Sequence, residues 1–281
     1  MSYFTKVASG FFHQIDGLGA RVLYVIEYTL NVLLMIYLSI RATIFDQAQG
    51  FRTVLSVVSA QIYFTGFQAL PLITVLALAS GSIVIMQSSA QLSLLGGNEM
   101  IGSLLVVVIV REVAPLITAL IVIARSGTAV ASEIGNMRVN KEIEALEAMG
   151  INPLSYIVFP RLLGGIVSVM CLAFYYIFIS LIGGFLVTKI VHDMPFAFYA
   201  ESLARAFTAE DVLLFLLKNS FSGAIIFVVC CYQGLLVKLG SHEVPQVTTK
   251  AVVNSIIYVT TFNLTVTTLF YLNQLIQLGL I

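Results

Sequence analysis

The chain has 281 residues, of which 59% are hydrophobic and 10% charged, with a mean hydropathy of +1.00; soluble domains carry about 25% charged residues, so a soluble globule is excluded. Lys plus Arg and Asp plus Glu both number 14, for a net charge of zero, and the scattered basic residues leave no electrostatic footprint for nucleic acid. One bilayer crossing takes roughly 20 apolar residues, which leaves room for about five or six helices in a single membrane domain.

The N-terminal segment MSYFTKVASGFFHQIDGLGARV has no compact apolar run ahead of a small-residue cleavage site, so no cleaved signal peptide is expected. Between Val22 and Ile40, the residues Tyr24, Glu27, Tyr28 and Asn31 recur at i, i+3, i+4 and i+7 and form a polar stripe between Arg21 and Arg41. A helix of that kind can lie in the membrane interface instead of crossing. The apolar stretches at about 69–91, 101–124, 157–191, 212–237 and 253–279 each have the length of a membrane helix.

Lysine and arginine help choose between five and six spans and set the direction, because cytoplasmic loops carry the excess of both. Five spans with the N-terminus inside place Lys6, Arg21, Arg41, Arg52, Arg125, Arg138, Lys141, Arg161, Lys238 and Lys250 on the cytoplasmic side. Only Lys189 and Arg205 fall outside, in a loop that also carries Asp193, Glu201, Glu210 and Asp211. The expectation is a multi-pass protein of five spans with a cytoplasmic N-terminus and a C-terminus on the far side.

In the first span, SGSIVIMQSSAQLSLL mixes Gln87, Ser88, Ser89, Gln91 and Ser93 with aliphatics such as Leu92 and Leu95. That mixture suits a cavity for a headgroup and acyl chains, and interhelical hydrogen bonding explains it almost as well. Arg111, Glu112 and Lys218 lie inside apolar stretches, where a charge costs about 2.5–3.5 kcal/mol, so each needs a partner or a wet cavity. Arg111 and Glu112 point about 100° apart on a helix, which leaves Glu112 free to meet Lys218 from another helix. Pro115 cannot donate to the carbonyl of Arg111, so that oxygen is left free and the helix bends. A register-fixing ion cluster and a lipid-headgroup contact are both open readings of these residues.

Gly127, Ala131 and Gly135 are spaced by four and put small side chains on one face for close helix packing. Beyond them, Val139, Ile143, Leu146 and Met149 line one side of a short helix, with Lys141, Glu142, Glu144 and Glu147 on the remainder. Gly150 is placed to end it and Pro153 to prevent its resumption. Its acidic polar face is repelled by anionic headgroups, which favours a protein partner on the cytoplasmic side. In the last span, Thr261, Thr265 and Thr268 share a face that reads as packing or a dimer seam, and Cys171, Cys230 and Cys231 read as packing residues. No G-x-x-x-x-G-K-[ST], H-E-x-x-H or G-x-S-x-G occurs, and His13, His192 and His242 fall outside the spans. No catalytic residue, metal site or cofactor is therefore assigned.

The run from Arg111 to Gly164 carries RE-x-x-P, AR-x-G-x-A-x-A-x-E-x-G-x-M-R and, at 142–153, EIEALEAMGINP. In order and spacing it resembles the MlaE/YrbE permease family of MCE-linked ABC transporters. The resemblance implies an all-α fold of five membrane helices behind an N-terminal interfacial elbow helix. One domain would then fill residues 1–281, with the elbow region at 1–55, the five-helix core at 56–281 and a cytoplasmic coupling helix at about 139–150. It further implies a bacterial inner-membrane homodimer, an ATPase subunit that binds the ATP and seats the coupling helix from Lys141 to Gly150, a hexameric MCE-domain protein on the periplasmic face, and phospholipid cargo. Arg111 and Glu112 become the charged pair near the membrane cavity. An ion-coupled transporter using Arg111, Glu112 and Lys218 as a relay normally shows two comparable halves, which this sequence lacks. A non-transporting scaffold is the remaining alternative.

Overall fold

The computed structural model describes residues 23, 25–44, 51–95, 101–192, 195–238 and 240–277, and every described secondary-structure element is helical. The first helix, α1, is Val25–Ile44. Then come α2 (Phe51–Thr65) and α3 (Leu70–Leu95), joined through a 3₁₀ turn at Phe67–Ala69. The next rod is a chain of short pieces: α4 (Ile101–Leu105), a π-helical stretch Val106–Val113, α5 (Ala114–Val122), a second π-helical stretch Ile123–Gly127, and α6 (Thr128–Val139). After α7 (Glu142–Ala148), a π-helical turn at Leu154–Val158 leads into α8 (Phe159–His192), followed by α9 (Phe196–Ala206), α10 (Ala209–Leu235) and α11 (Glu243–Gln277).

Six of the described helical rods are long and apolar enough to cross a membrane: Val25–Ile44, Val54–Ser88, Gly102–Val139, Leu154–Ile190, Ala209–Leu235 and Glu243–Ile276. The last five are the expected spans, yet each is displaced or longer than hydropathy suggested. The second of them runs on through Arg125 to Val139, and the last begins at Glu243 instead of near 253. Helical hydrogen bonding does not stop at the edge of the hydrocarbon, so the polar ends continue the same rods.

The additional rod is α1, the segment expected to lie in the interface. Tyr24 of its polar stripe and residues 1–22 and 45–50 of the expected elbow region lie outside the described residues. Of the described stripe residues, Glu27 is exposed and Asn31 half-buried, while Tyr28 turns inward. Tyr28 is 6% exposed, its hydroxyl accepts from Gln233 Nε2 at 3.0 Å, and its ring stacks on Tyr258. The exposed face carries Leu30, Leu33, Leu34 and Tyr37 together with Glu27. Ser39 further along donates to the carbonyl of Leu154, so α1 packs where α10 ends and α8 begins.

The middle of the bundle is α8, which packs on α2, α3 and α10, while α10 also packs on α6 and α11. Small residues let these backbones approach, since association within a membrane relies on close packing more than on the hydrophobic effect. A Cβ at Gly165 of α8 would run into the Phe227 ring of α10, and one at Gly223 of α10 would lie 2.9 Å from Ile166 Cα. Polar pairs bind the rods further: Tyr176 Oη donates to Ser80 Oγ at 2.7 Å, and Asn263 Nδ2 donates to Ser222 Oγ at 3.1 Å. Leu72, Val75, Phe178, Leu186, Leu264 and Leu269 are left exposed on the outside, as suits a surface solvated by lipid. At one end α9 caps the bundle through Tyr199, which is buried and donates to the carbonyl of Leu181 at 2.9 Å; burial raises the pKa of its phenol. The other end carries α7.

Candidate functional site

The expected bend near Pro115 is a widened turn: the π-helical stretch Val106–Val113 ends just before it, and Arg111 and Glu112 sit inside that stretch. Such turns leave backbone groups outside the regular ladder and often accompany functional positions. The carbonyl of Arg111, which Pro115 cannot serve, accepts a hydrogen bond from Lys218 Nζ at 2.6 Å. The same ammonium lies 3.0 Å from Glu112 Oε1. Lys218 therefore meets Glu112 across two helices, as the angular argument anticipated.

Arg111 does not complete a triad with them. Its Nε donates to Asp211 Oδ1 at 2.5 Å, and its guanidinium lies over the Phe270 ring, 5.2 Å from the centroid. Asp211, expected in the outer loop, is fully buried in the first turn of α10. There it forms a capping box: its backbone N–H donates to Thr208 Oγ1, and its Oδ2 accepts from Thr208 N at 2.9 Å. Thr267 of α11 adds a third rod, its hydroxyl lying 3.1 and 3.2 Å from the two Glu112 oxygens.

Two cations and two anions thus balance in a network tying the π-helical stretch to α10 and α11. Side-chain exposure is 0% for Lys218 and Asp211, 10% for Arg111 and 40% for Glu112. Glu112 is the one member whose side chain is substantially exposed. Asp211, Thr267 and Phe270 were not singled out from sequence. T-x-x-D ahead of an apolar run was a legible signal for Asp211, whereas nothing local marks Thr267 among its neighbouring threonines.

Among the remaining expected cavity residues, the described Gln87 does not join this network. Gln87 is exposed on α3, and the side chains of Leu92 and Leu95 lie outside the described residues. In the same segment Ser80 and Ser82 bond to α8, which is the interhelical reading. Gly127 and Gly135 face α10 and its continuation: a Cβ would lie 3.0 Å from Cys230 Sγ at the first and 3.2 Å from Val237 at the second. Ala131, between them, is fully buried, so this face serves packing within the chain. Thr261, Thr265 and Thr268 are exposed.

The expected short helix at 139–150 is tighter than its pattern implied. Val139 ends α6, and Lys141 adopts a left-handed conformation at φ 59° that separates α6 from α7. Gly150, at φ 75°, ends α7 in a Schellman motif, with Gly150 N bonded to the Glu147 carbonyl and Ile151 N to the Leu146 carbonyl. Ile143 is 2% exposed and Leu146 packs against the core, whereas Met149 is 66% exposed. Glu144 pairs with Arg138 at 2.9 Å. The apolar face is therefore split: Ile143 and Leu146 hold α7 to its own subunit, and Lys141, Glu142, Glu147, Met149 and Gly150 face outward.

A family model described as Permease MlaE matches residues 58–269. The chain belongs to the MlaE permease family. The matched region runs from within the first of the five later spans to within the last and leaves α1 ahead of it. Among MlaE-like relatives, a probable ABC transporter permease protein of Rickettsia conorii is 34% identical over 217 residues, covering 77% of this chain and 84% of the relative. Protein TRIGALACTOSYLDIACYLGLYCEROL 1, chloroplastic, of Arabidopsis thaliana is 28% identical over 197 residues, 70% of this chain and 56% of that protein. A probable ABC transporter permease protein of Synechocystis is 28% identical over 197 residues, 70% of this chain and 75% of the relative. As an MlaE-family permease the chain is a multi-pass component of an ABC transporter, a class whose motor is an ATPase.

Proposed function

We propose that this permease moves phospholipids between the bacterial inner membrane and the periplasmic or outer-membrane side, powered by ATP bound on a separate subunit. The observation that carries the reading is the Glu112 side chain, 40% exposed within a membrane rod while its lysine partner is sealed. Charge facing hydrocarbon is costly, so this face borders polar matter: a headgroup, or the water that accompanies one. The Arabidopsis relative bears the name of a galactolipid, which supports a lipid cargo.

In this reading the chain works as a homodimer in the inner membrane, with the α7 end and the N-terminus cytoplasmic and the C-terminus periplasmic. Arg125, Arg138, Lys141, Arg161, Lys238 and Lys250 all gather toward that cytoplasmic end, in keeping with the positive-inside rule. The ATPase seats on α7, and because Ile143 and Leu146 are turned onto the permease itself, the contact falls on Lys141, Glu142, Glu147 and Met149. A hexameric MCE-domain protein docks at the α9 end. Native mass spectrometry of the complex, gently extracted from its own membrane, tests the whole proposal: two copies of this chain, two ATPase subunits, six MCE-type subunits and bound phospholipid are expected. A lone chain with neither motor nor lipid would overturn it.

A further inference from the structure

A separate cavity of about 230 Å³ opens between α2, α6 and α8, walled by Val57, Gln61, Phe64, Val130, Glu133 and Arg161. Arg161 is 8% exposed. Its Nη2 donates to Glu133 Oε1 at 2.7 Å, but its Nη1 is buried and has no hydrogen-bond partner among the described residues. A buried guanidinium N–H without an acceptor is rare and calls for a missing oxygen. Glu133, by contrast, is 60% exposed along its side chain, so the carboxylate remains open on its other side. A second cation stands one ring away: Phe64 lies beneath the Arg125 guanidinium, 5.3 Å from the centroid, and Arg125 Nη1 donates to the Phe64 carbonyl at 3.2 Å.

The cavity thus has an unserved cationic donor buried in its wall and an open carboxylate beside it. A simple anion would satisfy Arg161 but be repelled by Glu133, and a simple cation would face the reverse. We infer that the cavity binds a phosphate–ammonium zwitterion of the phosphoethanolamine type, its phosphate oxygen accepting from Arg161 and its ammonium lying against Glu133. Charge-assisted contacts of both signs are then met at once, and the volume suits a headgroup without its acyl chains.

Glu133 lies 21 positions beyond Glu112 on one continuous rod, about 30 Å away at 1.5 Å per residue. The two sites therefore sit at opposite levels of the bundle, this one near the α7 end. That the zwitterion is a membrane lipid, and not soluble phosphorylethanolamine, rests on the permease reading.

Native mass spectrometry of the purified full-length chain, titrated with dioleoyl phosphatidylethanolamine or dioleoyl phosphatidylglycerol, tests the site. The wild type is expected to retain one ethanolamine lipid in preference to the glycerol lipid. Glu133→Gln, at a largely exposed position, is expected to bring the two lipids near parity, and Arg161→Met to weaken both about tenfold, the scale of one charge-assisted hydrogen bond. Glu112→Gln should leave this preference intact. Unchanged retention and preference in Glu133→Gln would overturn the inference and leave water as the partner of Arg161. Lipid sensitive to Glu112→Gln but not to Glu133→Gln would overturn this site while sparing the permease reading. Binding of soluble phosphorylethanolamine without lipid retention would support the zwitterion chemistry but overturn its lipid source.

Discussion

Lys218 supplies the hydrogen bond that Pro115 withholds. The proline leaves the Arg111 carbonyl without its ordinary helical donor, and Lys218 Nζ reaches that oxygen at 2.6 Å while holding Glu112 at 3.0 Å. A backbone irregularity and a buried cation thus answer each other across two rods, and the widened turn carrying Arg111 and Glu112 is held in place by a side chain from α10.

Replacing Lys218 by Met should therefore cost more than one ion pair. It strands the Arg111 carbonyl and leaves Glu112 with only Thr267, a loss of about 3 kcal/mol, the low end for breaking a buried pair because Glu112 is partly open. The Glu112→Gln/Lys218→Met double variant should recover part of that loss. Thermal unfolding in detergent of the single and double variants checks this, and simple additivity would mean the two residues are uncoupled.

Asp211 serves two masters, the start of α10 and the Arg111 guanidinium. Thr208→Ala removes the cap alone and should cost about 1 kcal/mol. Asp211→Asn weakens the cap and also leaves Arg111 without its counter-charge, so its melting temperature should fall further than that of Thr208→Ala. Equal shifts would mean that the Arg111 pairing contributes nothing to stability.

At Gly165 the prediction concerns packing. A methyl group there meets the Phe227 ring, so Gly165→Ala should destabilise the α8–α10 contact by about 1–3 kcal/mol. Shortening the neighbour in a Gly165→Ala/Phe227→Leu variant should regain part of this. The measurement is again the melting temperature, and a harmless Gly165→Ala would show that the backbones can separate freely.

For α7, the inward and outward faces should behave differently. Met149→Asp or Glu147→Lys changes exposed side chains and should abolish co-purification of the ATPase while leaving the melting temperature unchanged. Ile143→Asp buries a charge and should lower both. Full retention of the ATPase by the two outward-face variants would remove α7 as its docking site.

Much of this architecture was legible in the chain. The five later spans follow from apolar length, because lipid forces every spanning segment to satisfy its own backbone. The end of α7 at Gly150 follows from local chemistry, since glycine accepts the positive φ that closes a helix. The meeting of Glu112 with Lys218 was foreseen because an intramembrane charge needs an opposite one. The placement of Asp211 was missed by counting it with the outer loop, although Thr208 three residues earlier already marked a capped helix start. The inward turn of Tyr28 and the division of α7 into a packed and an outward face were not readable, since periodicity identifies a face without saying what covers it.

Sequence alone determined the helical class, the membrane setting, the family motif between Arg111 and Gly164, and the residues that end α7, because each depends on neighbours within a few turns of one rod. Only the tertiary structure decided that Arg111 pairs with Asp211, 100 residues away, that Thr267 completes the Glu112 site from 155 residues away, and that Arg161 retains an unserved donor. Those outcomes depend on how far one rod slides and turns against another, a register set by the sum of many small packing contacts that no single stretch of sequence contains.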